Sequence, residues 1–108
     1  METRDWKSQL RRGVLELRIM QLLNFKPNYG YEIVSKLESF GPLASGENTV
    51  YPLLRRLKAE GTLETFTKAS PTGPPRQYYR LTDQGRRKLT DLANEWEAVV
   101  RAMGQSVN

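Results

Sequence analysis

Val50, Leu53, Leu54 and Leu57 fall at i, i+3, i+4 and i+7, which on a helix makes a single apolar stripe. Asn48, Tyr51, Arg55 and Lys58 are displaced toward the opposite face, so one side of this short helix can dock while the other is free to read a groove. Gly61 stands where a helix ends in a left-handed residue, and Leu63 opens a run with strand character. Upstream, Leu10, Val14, Leu17, Met20, Leu22 and Leu23 predict a long helix from about Lys7 to Leu23. Near its end it is apolar over much of its circumference, which predicts deep burial. Pro27 cannot continue that helix, so Asn24 to Asn28 is expected as a connector, with Asn28 capping the next element. Ile33, Val34, Leu37 and Phe40 then give a second helix from Tyr29 to Phe40, stopped by Gly41-Pro42, with a loop over Leu43 to Glu47.

Pro52 constrains where the third helix begins, because a proline is tolerated best in the first turn, where backbone donors have no partner anyway. Capping by Asn48 or Thr49 satisfies this, whereas a start at Ser45 implies a distortion near Pro52. Leu63 to Thr67 and Arg76 to Leu81 read as two strands rich in Thr, Phe and Tyr. The segment between them, Lys68 to Pro75, holds three prolines and a glycine, which predicts a hairpin with a stiff, extended tip flanked by Lys68 and Arg76. Thr82 and Asp83 are a cap and a first-turn carboxylate for a last helix. Along it Leu89, Leu92, Ala93, Trp96, Val99, Val100 and Met103 recur at three- and four-residue steps. A chain of 108 residues closed by three helices and a hairpin has little room for another long apolar face. That face, with the first helix, is expected to bury against a second copy of the chain in a two-fold dimer.

Composition excludes more than it proposes. The chain contains no Cys and no His, so disulfides, thiol nucleophiles, imidazole bases and most side-chain metal sites fall away. Glu16, Glu32, Asp83 and Asp91 lie on separate elements and no glycine-rich phosphate loop is present, so neither catalytic residues, a metal nor a cofactor is expected. No window approaches the length of a membrane span, and Met1 to Asp5 lead into an amphipathic pattern, which predicts a soluble, cytoplasmic protein. The net charge of +5 suits a polyanion, but its distribution is more telling. Residues 47–80 carry six cations against three carboxylates while residues 81–108 balance four against four, so the surplus is concentrated at the third helix and the hairpin.

The order helix, helix, helix, two-stranded wing, long helix resembles a winged helix-turn-helix protein: mainly α with a small β-hairpin and a long C-terminal dimerisation helix. Four blocks are similar to the short members of the PadR family of bacterial transcriptional regulators: Gly13-Val14-Leu15-Glu16-Leu17, Tyr29-Gly30-Tyr31-Glu32-Ile33, Thr49 to Leu57, and Tyr78 to Gly85. Asn48 stands where the family more often has glycine and Val50 where it has leucine. The resemblance implies residues 1–81 as the DNA-binding region and 82–108 as the dimerisation helix of one domain. It also implies a homodimeric repressor on double-stranded DNA with an inverted-repeat operator. By residue, Tyr31 and Lys36 would hold phosphates, Asn48, Thr49, Tyr51 and Arg55 would meet the groove, and Lys68 and Arg76 would be wing contacts. For Asn48 the helix cap is slightly favoured over base reading. Some members carry flat aromatic ligands between the last helices, which makes Trp96, approached by Trp6, a candidate plate for a small aromatic or hydrophobic effector, with interface packing as the plainer role of both. A winged helix that binds another protein is the alternative, and the cations at Arg55, Lys58 and the wing argue against it.

Overall fold

The computed structural model describes residues 3–108, with side chains from Trp6 onward; Met1 and Glu2, the lead into the first helix, lie outside them. The elements run α1 (Thr3–Phe25), β1 (Asn28–Tyr29), α2 (Gly30–Leu37), a 3-10 segment (Glu38–Leu43), α3 (Glu47–Ala59), β2 (Leu63–Ser70), β3 (Gly73–Leu81) and α4 (Asp83–Met103). Ile19, Met20, Ile33, Leu37, Val50, Leu54, Leu57 and Leu63 form the centre of the core, each almost wholly shielded from solvent. The predicted stripe of α3 is therefore the docking face. Burial of this kind stabilises by about 1.5–3 kcal/mol per large aliphatic side chain, enough to hold a thirteen-residue helix that would be marginal alone.

The third helix ends as expected. Gly61 has φ +81°, its N–H donates to Lys58 O and that of Thr62 to Leu57 O, which closes the helix and turns the chain straight into β2. Its start differs from the expected one. The cap position is Gly46, Glu47 is the first helical residue, and no side chain caps it, so neither Asn48 nor Thr49 is the cap. Both lie inside the first turn, exposed, and the helix runs on unbroken through Pro52.

Asn28 is not a helix cap either. It is fully buried in β1, where Nδ2 donates to Lys26 O and Oδ1 accepts from Lys36 Nζ, and Tyr29 holds the cap position of α2 without a side-chain bond. Asn28 and Tyr29 pair with Tyr79 and Tyr78, so the sheet has three antiparallel strands in the order β1-β3-β2, one more than the hairpin predicted. The hairpin strands are also longer than expected. Pairing continues past Thr67 through Lys68↔Arg76 to Ser70↔Gly73, leaving only Pro71 and Thr72 between the strands and not an eight-residue tip. The second helix stops at Leu37, three residues before Phe40. Gly41, at φ +54°, and Pro42 sit inside the following 3-10 segment and do not end the helix themselves.

The two long helices are each buried over only part of their length. In α1, Leu15, Leu17, Ile19, Met20 and Leu23 are buried, but Trp6 to Gly13 are exposed and Leu10 keeps 68% of its surface, which corrects the expected deep burial of the whole helix. In α4, Thr82 caps as expected, its Oγ1 accepting from the Gly85 N–H at 2.9 Å while the hydroxyl donates to Gly61 O. Gly85 is buried so tightly that a Cβ there would lie 2.2 Å from Thr62 O, which fixes the start of α4 against the base of the wing. Leu89 and Leu92 then pack on the core and Ala93 is half-buried, whereas Trp96, Val99, Val100 and Met103 are exposed.

Candidate nucleic-acid interface

The outward face of α3 carries Asn48, Arg55 and Lys58, all exposed, with Thr49 on one flank and Tyr51 on the other. Tyr51 is half-buried, the outer end of its ring against the start of α2. A Cβ on Gly30 would come within 2.3 Å of its Cε1, so the ring occupies space that only glycine leaves open. Burial, with the carboxylate of Glu47 nearby, raises the Tyr51 pKa, and burial raises that of Tyr79, so both hydroxyls remain donors at neutral pH.

Tyr51 joins two elements to α3. With Tyr29, Gly30, Tyr31, Arg76, Gln77 and Tyr79 it lines a shallow cavity of about 200 Å³, so the third helix, the start of α2 and the wing meet in one surface. Tyr31, Tyr51 and Arg76, which the sequence placed in three separate roles, are neighbours there. Tyr29, Gly30, Gln77 and Tyr79 are members that sequence reasoning did not name as site residues, and Gln77 carried the least signal. It lies between Arg76 and Tyr78, exposed, and no periodicity or motif distinguishes it.

The wing cations are held in place by aromatic rings. Along the outer face of the sheet Arg76 stacks 4.5 Å from the Tyr29 centroid, Lys68 lies 5.4 Å from Tyr78 and Arg80 lies 4.8 Å from Phe66. Tyr78 in turn packs on both Tyr29 and Phe66. Each cation–ring contact contributes about 0.5–1 kcal/mol at such exposed sites and limits the wandering of a long side chain, so Lys68 and Arg76 present charge from defined places, whereas Arg80 is paired with Glu64 at 3.0 Å. Lys36 differs from the other proposed contacts, because its ammonium group donates to Asn28 Oδ1 at 2.9 Å and is tied to the fold at its tip.

Behind the interface Arg56 binds Glu16 at 2.9 Å and Glu60 at 3.1 Å, and Lys88 binds Glu16 at 2.8 Å. Burial pushes the Glu16 carboxyl up, but the hydrogen bonds and charges of Lys88 and Arg56 outweigh it, so Glu16 titrates below its ordinary value and is ionised at neutral pH. Arg56 is thereby turned away from the reading face and joins α3 to α1 and, through Glu16, to α4.

A three-helix core with an exposed cationic third helix and a sheet that extends its surface is a winged helix-turn-helix. The family model for the transcriptional regulator PadR-like family matches residues 19–91, two thirds of the chain. The chain belongs to the PadR-like family. A PadR-like transcriptional regulator from Bacillus cereus is 38% identical, with a TM-score of 0.81 over 89% of this chain and 93% of that one. A PadR family transcriptional regulator from Eggerthella lenta is 36% identical, with a TM-score of 0.78 over 89% of this chain and 83% of the other. An uncharacterised protein of Lysinibacillus sphaericus is 32% identical over 95 residues, 86% of this chain and 87% of its own. PadR-like proteins are DNA-binding transcriptional regulators and not enzymes. No helix among the described residues is long and apolar enough to cross a membrane.

Proposed function

We propose that the chain is a homodimeric, sequence-specific repressor acting in the cytoplasm, with residues 1–81 binding DNA and residues 82–108 forming the dimer arm. The observation that carries the reading is the pairing of two exposed surfaces of opposite character on one small fold. The polar and cationic face of α3 continues into Tyr31 and the wing through Tyr51 and Arg76. On α4, Trp96, Val99, Val100 and Met103 leave 41%, 42%, 49% and 80% of their surfaces open, and Trp6 and Leu10 of α1 are open as well. A contiguous apolar face of this size on a chain this short fits burial against an identical face across a two-fold axis.

In that dimer the two α3 helices enter successive major grooves about one turn of DNA apart, so the operator is an inverted repeat. Asn48, Thr49, Tyr51 and Arg55 meet base edges and groove walls, Tyr31 and Lys36 hold phosphates, and Lys68 and Arg76 hold the backbone beside the wing. With the cap supplied at Gly46, the amide of Asn48 is available for adenine, whose N6 and N7 it can bind in a bidentate pair. Leu89, Leu92 and Ala93 bring α4 onto its own core, and the residues from Trp96 onward carry the dimer contact. Trp96 is also where we place an apolar or phenolic effector. Among the described residues neither tryptophan joins an aromatic contact, and we place their meeting in the dimer.

Sedimentation of the protein and of Val100→Asp tests the reading, because a charge in a buried apolar seam is costly. We expect a dimeric wild type and a monomeric, folded variant that binds duplex DNA at least about ten-fold more weakly, since it engages one half-site at a time. A monomeric wild type, or a variant that remains dimeric, would remove the dimer from the account. Saturable quenching of tryptophan fluorescence by phenolic acids or hydrophobic dyes, lost in Trp96→Ala, is expected if an effector binds there; absence of quenching removes the effector.

A further inference from the structure

A cleft of about 840 Å³ separates the N-terminal half of α1 from α3. Lys7, Arg11 and Arg12 line one wall, Thr49 and Arg56 the other, and Leu15 and Leu53 form part of the floor. No carboxylate is among the described residues that line it. Arg56 is already neutralised by Glu16 and Glu60, so the charge of the cleft resides in the three exposed cations of α1. The surplus of positive charge at the third helix, legible in the sequence, is thus joined by a second group that reaches it only through the fold.

The direction of the cleft decides what it can hold. Along its α3 wall it runs from Arg56, bonded to Glu16, to Thr49 at the N-terminal end of α3, the end a recognition helix presents to DNA. Helical phase keeps its cations off the face of α1 assigned to the proposed dimer. At about 100° per residue, the middle of the Lys7–Arg11–Arg12–Leu15 face lies roughly 140° around α1 from Trp6 and Leu10, the exposed apolar residues assigned to the partner. Two faces of one helix segment therefore serve different contacts.

We infer that this cleft is a second anchorage for the DNA backbone, in which Lys7, Arg11 and Arg12 hold phosphates flanking the bases read by α3. The inference rests on the DNA-binding reading and adds three residues from an element outside the helix-turn-helix pair. The contacts are to phosphates: long, exposed, mobile cations in an open cleft fit a repeating charge better than a particular base edge. Thr49, on the facing wall, belongs both to this cleft and to the exposed first turn of α3.

The test is the salt dependence of binding to a selected operator, measured by fluorescence anisotropy for the wild type and the triple variant Lys7→Ala/Arg11→Ala/Arg12→Ala. Alanine favours helix and the three positions are exposed, so the variant should keep its circular dichroism and dimeric state. Each lost phosphate contact lowers the slope of log K against log salt by about 0.9, or about 2.7 for three, so between about 50 and 200 mM salt the wild type should lose about 40-fold more affinity than the variant. Trimming the flanks from the duplex should weaken the wild type to the level of the variant and leave the variant unchanged, on operator and random sequence alike. Equal slopes, or a variant as sensitive to trimming as the wild type, would overturn the anchorage while leaving the DNA-binding reading intact. A wild type that binds no duplex at all would overturn both.

Discussion

Replacing Gly30 with alanine separates the placement of Tyr51 from the stability of the fold. The added methyl would sit 2.3 Å from Tyr51 Cε1, 2.7 Å from Cζ and 2.8 Å from the hydroxyl oxygen. Carbon atoms in contact stand about 3.5–4.0 Å apart, so the ring must move by roughly 1 Å or more. The obstructing atoms belong to the outer end of a side chain that rotates about two bonds, and the ring has solvent on one side. Swinging it out therefore costs less than shifting backbone. Alanine at the first position of α2 gains up to about 1 kcal/mol of helix propensity over glycine, against a packing loss of similar size. Stability in urea should therefore change by less than about 1 kcal/mol. Operator affinity should fall by about 1–3 kcal/mol, roughly 5- to 150-fold, because Tyr51 no longer stands against Tyr31 and Arg76. Combining the change with Tyr51→Ala gives the decisive comparison: once the ring is absent, Gly30→Ala should cost no further affinity. An additive loss in the double variant, or full operator affinity in Gly30→Ala alone, would refute the role given to this contact.

Other changes probe the rest of the account. Gly85→Ala drives a Cβ to 2.2 Å from the backbone oxygen of Thr62, which cannot swing aside, so it should destabilise the fold by about 1–3 kcal/mol in a denaturant titration. Glu16→Gln removes the closer of the two carboxylates shared by Arg56 and Lys88, leaving Glu60, and should cost about 1 kcal/mol at neutral pH. Because the folded-state pKa of Glu16 lies below its ordinary 4.5, its contribution is complete above that pH and is lost as pH falls through the lowered value. The gap between wild type and Glu16→Gln should therefore narrow below pH 4.5 in acid titrations of stability. Arg55→Ala should cost about 1–3 kcal/mol on the operator and relax preference at one base; an equal loss on random DNA would make Arg55 a phosphate contact only.

What the sequence disclosed, and what it concealed, follows from the range of the interactions. The stripe of α3, the turn at Gly61 and the cap at Thr82 are written within a few residues and were legible. Strand β1 was not, because two residues pair with Tyr78 and Tyr79 some fifty positions later and carry no alternation of their own. Asn28 resembled a cap because its place in β1 depends on that distant pairing and its side-chain partner Lys36 stands in the last turn of α2. The apolar periodicity of α4 is continuous from Leu89 to Met103. Periodicity cannot tell that Leu92 meets its own core while Trp96 does not. The exposed positions Asn48, Arg55 and Lys58 on the outer face of α3 followed from helical phase. The wedge of Tyr51 on Gly30, the membership of Gln77 and the convergence of Lys7, Arg11 and Arg12 on the third helix exist only in three dimensions.

The central claim, a dimer that reads an inverted repeat, is tested most directly by selecting bound duplexes from a random DNA pool at physiological salt with protein of known oligomeric state. The account predicts enrichment of an inverted repeat whose half-sites lie about one helical turn apart. Enrichment of a single undivided site, or recovery of nothing above background, would contradict it.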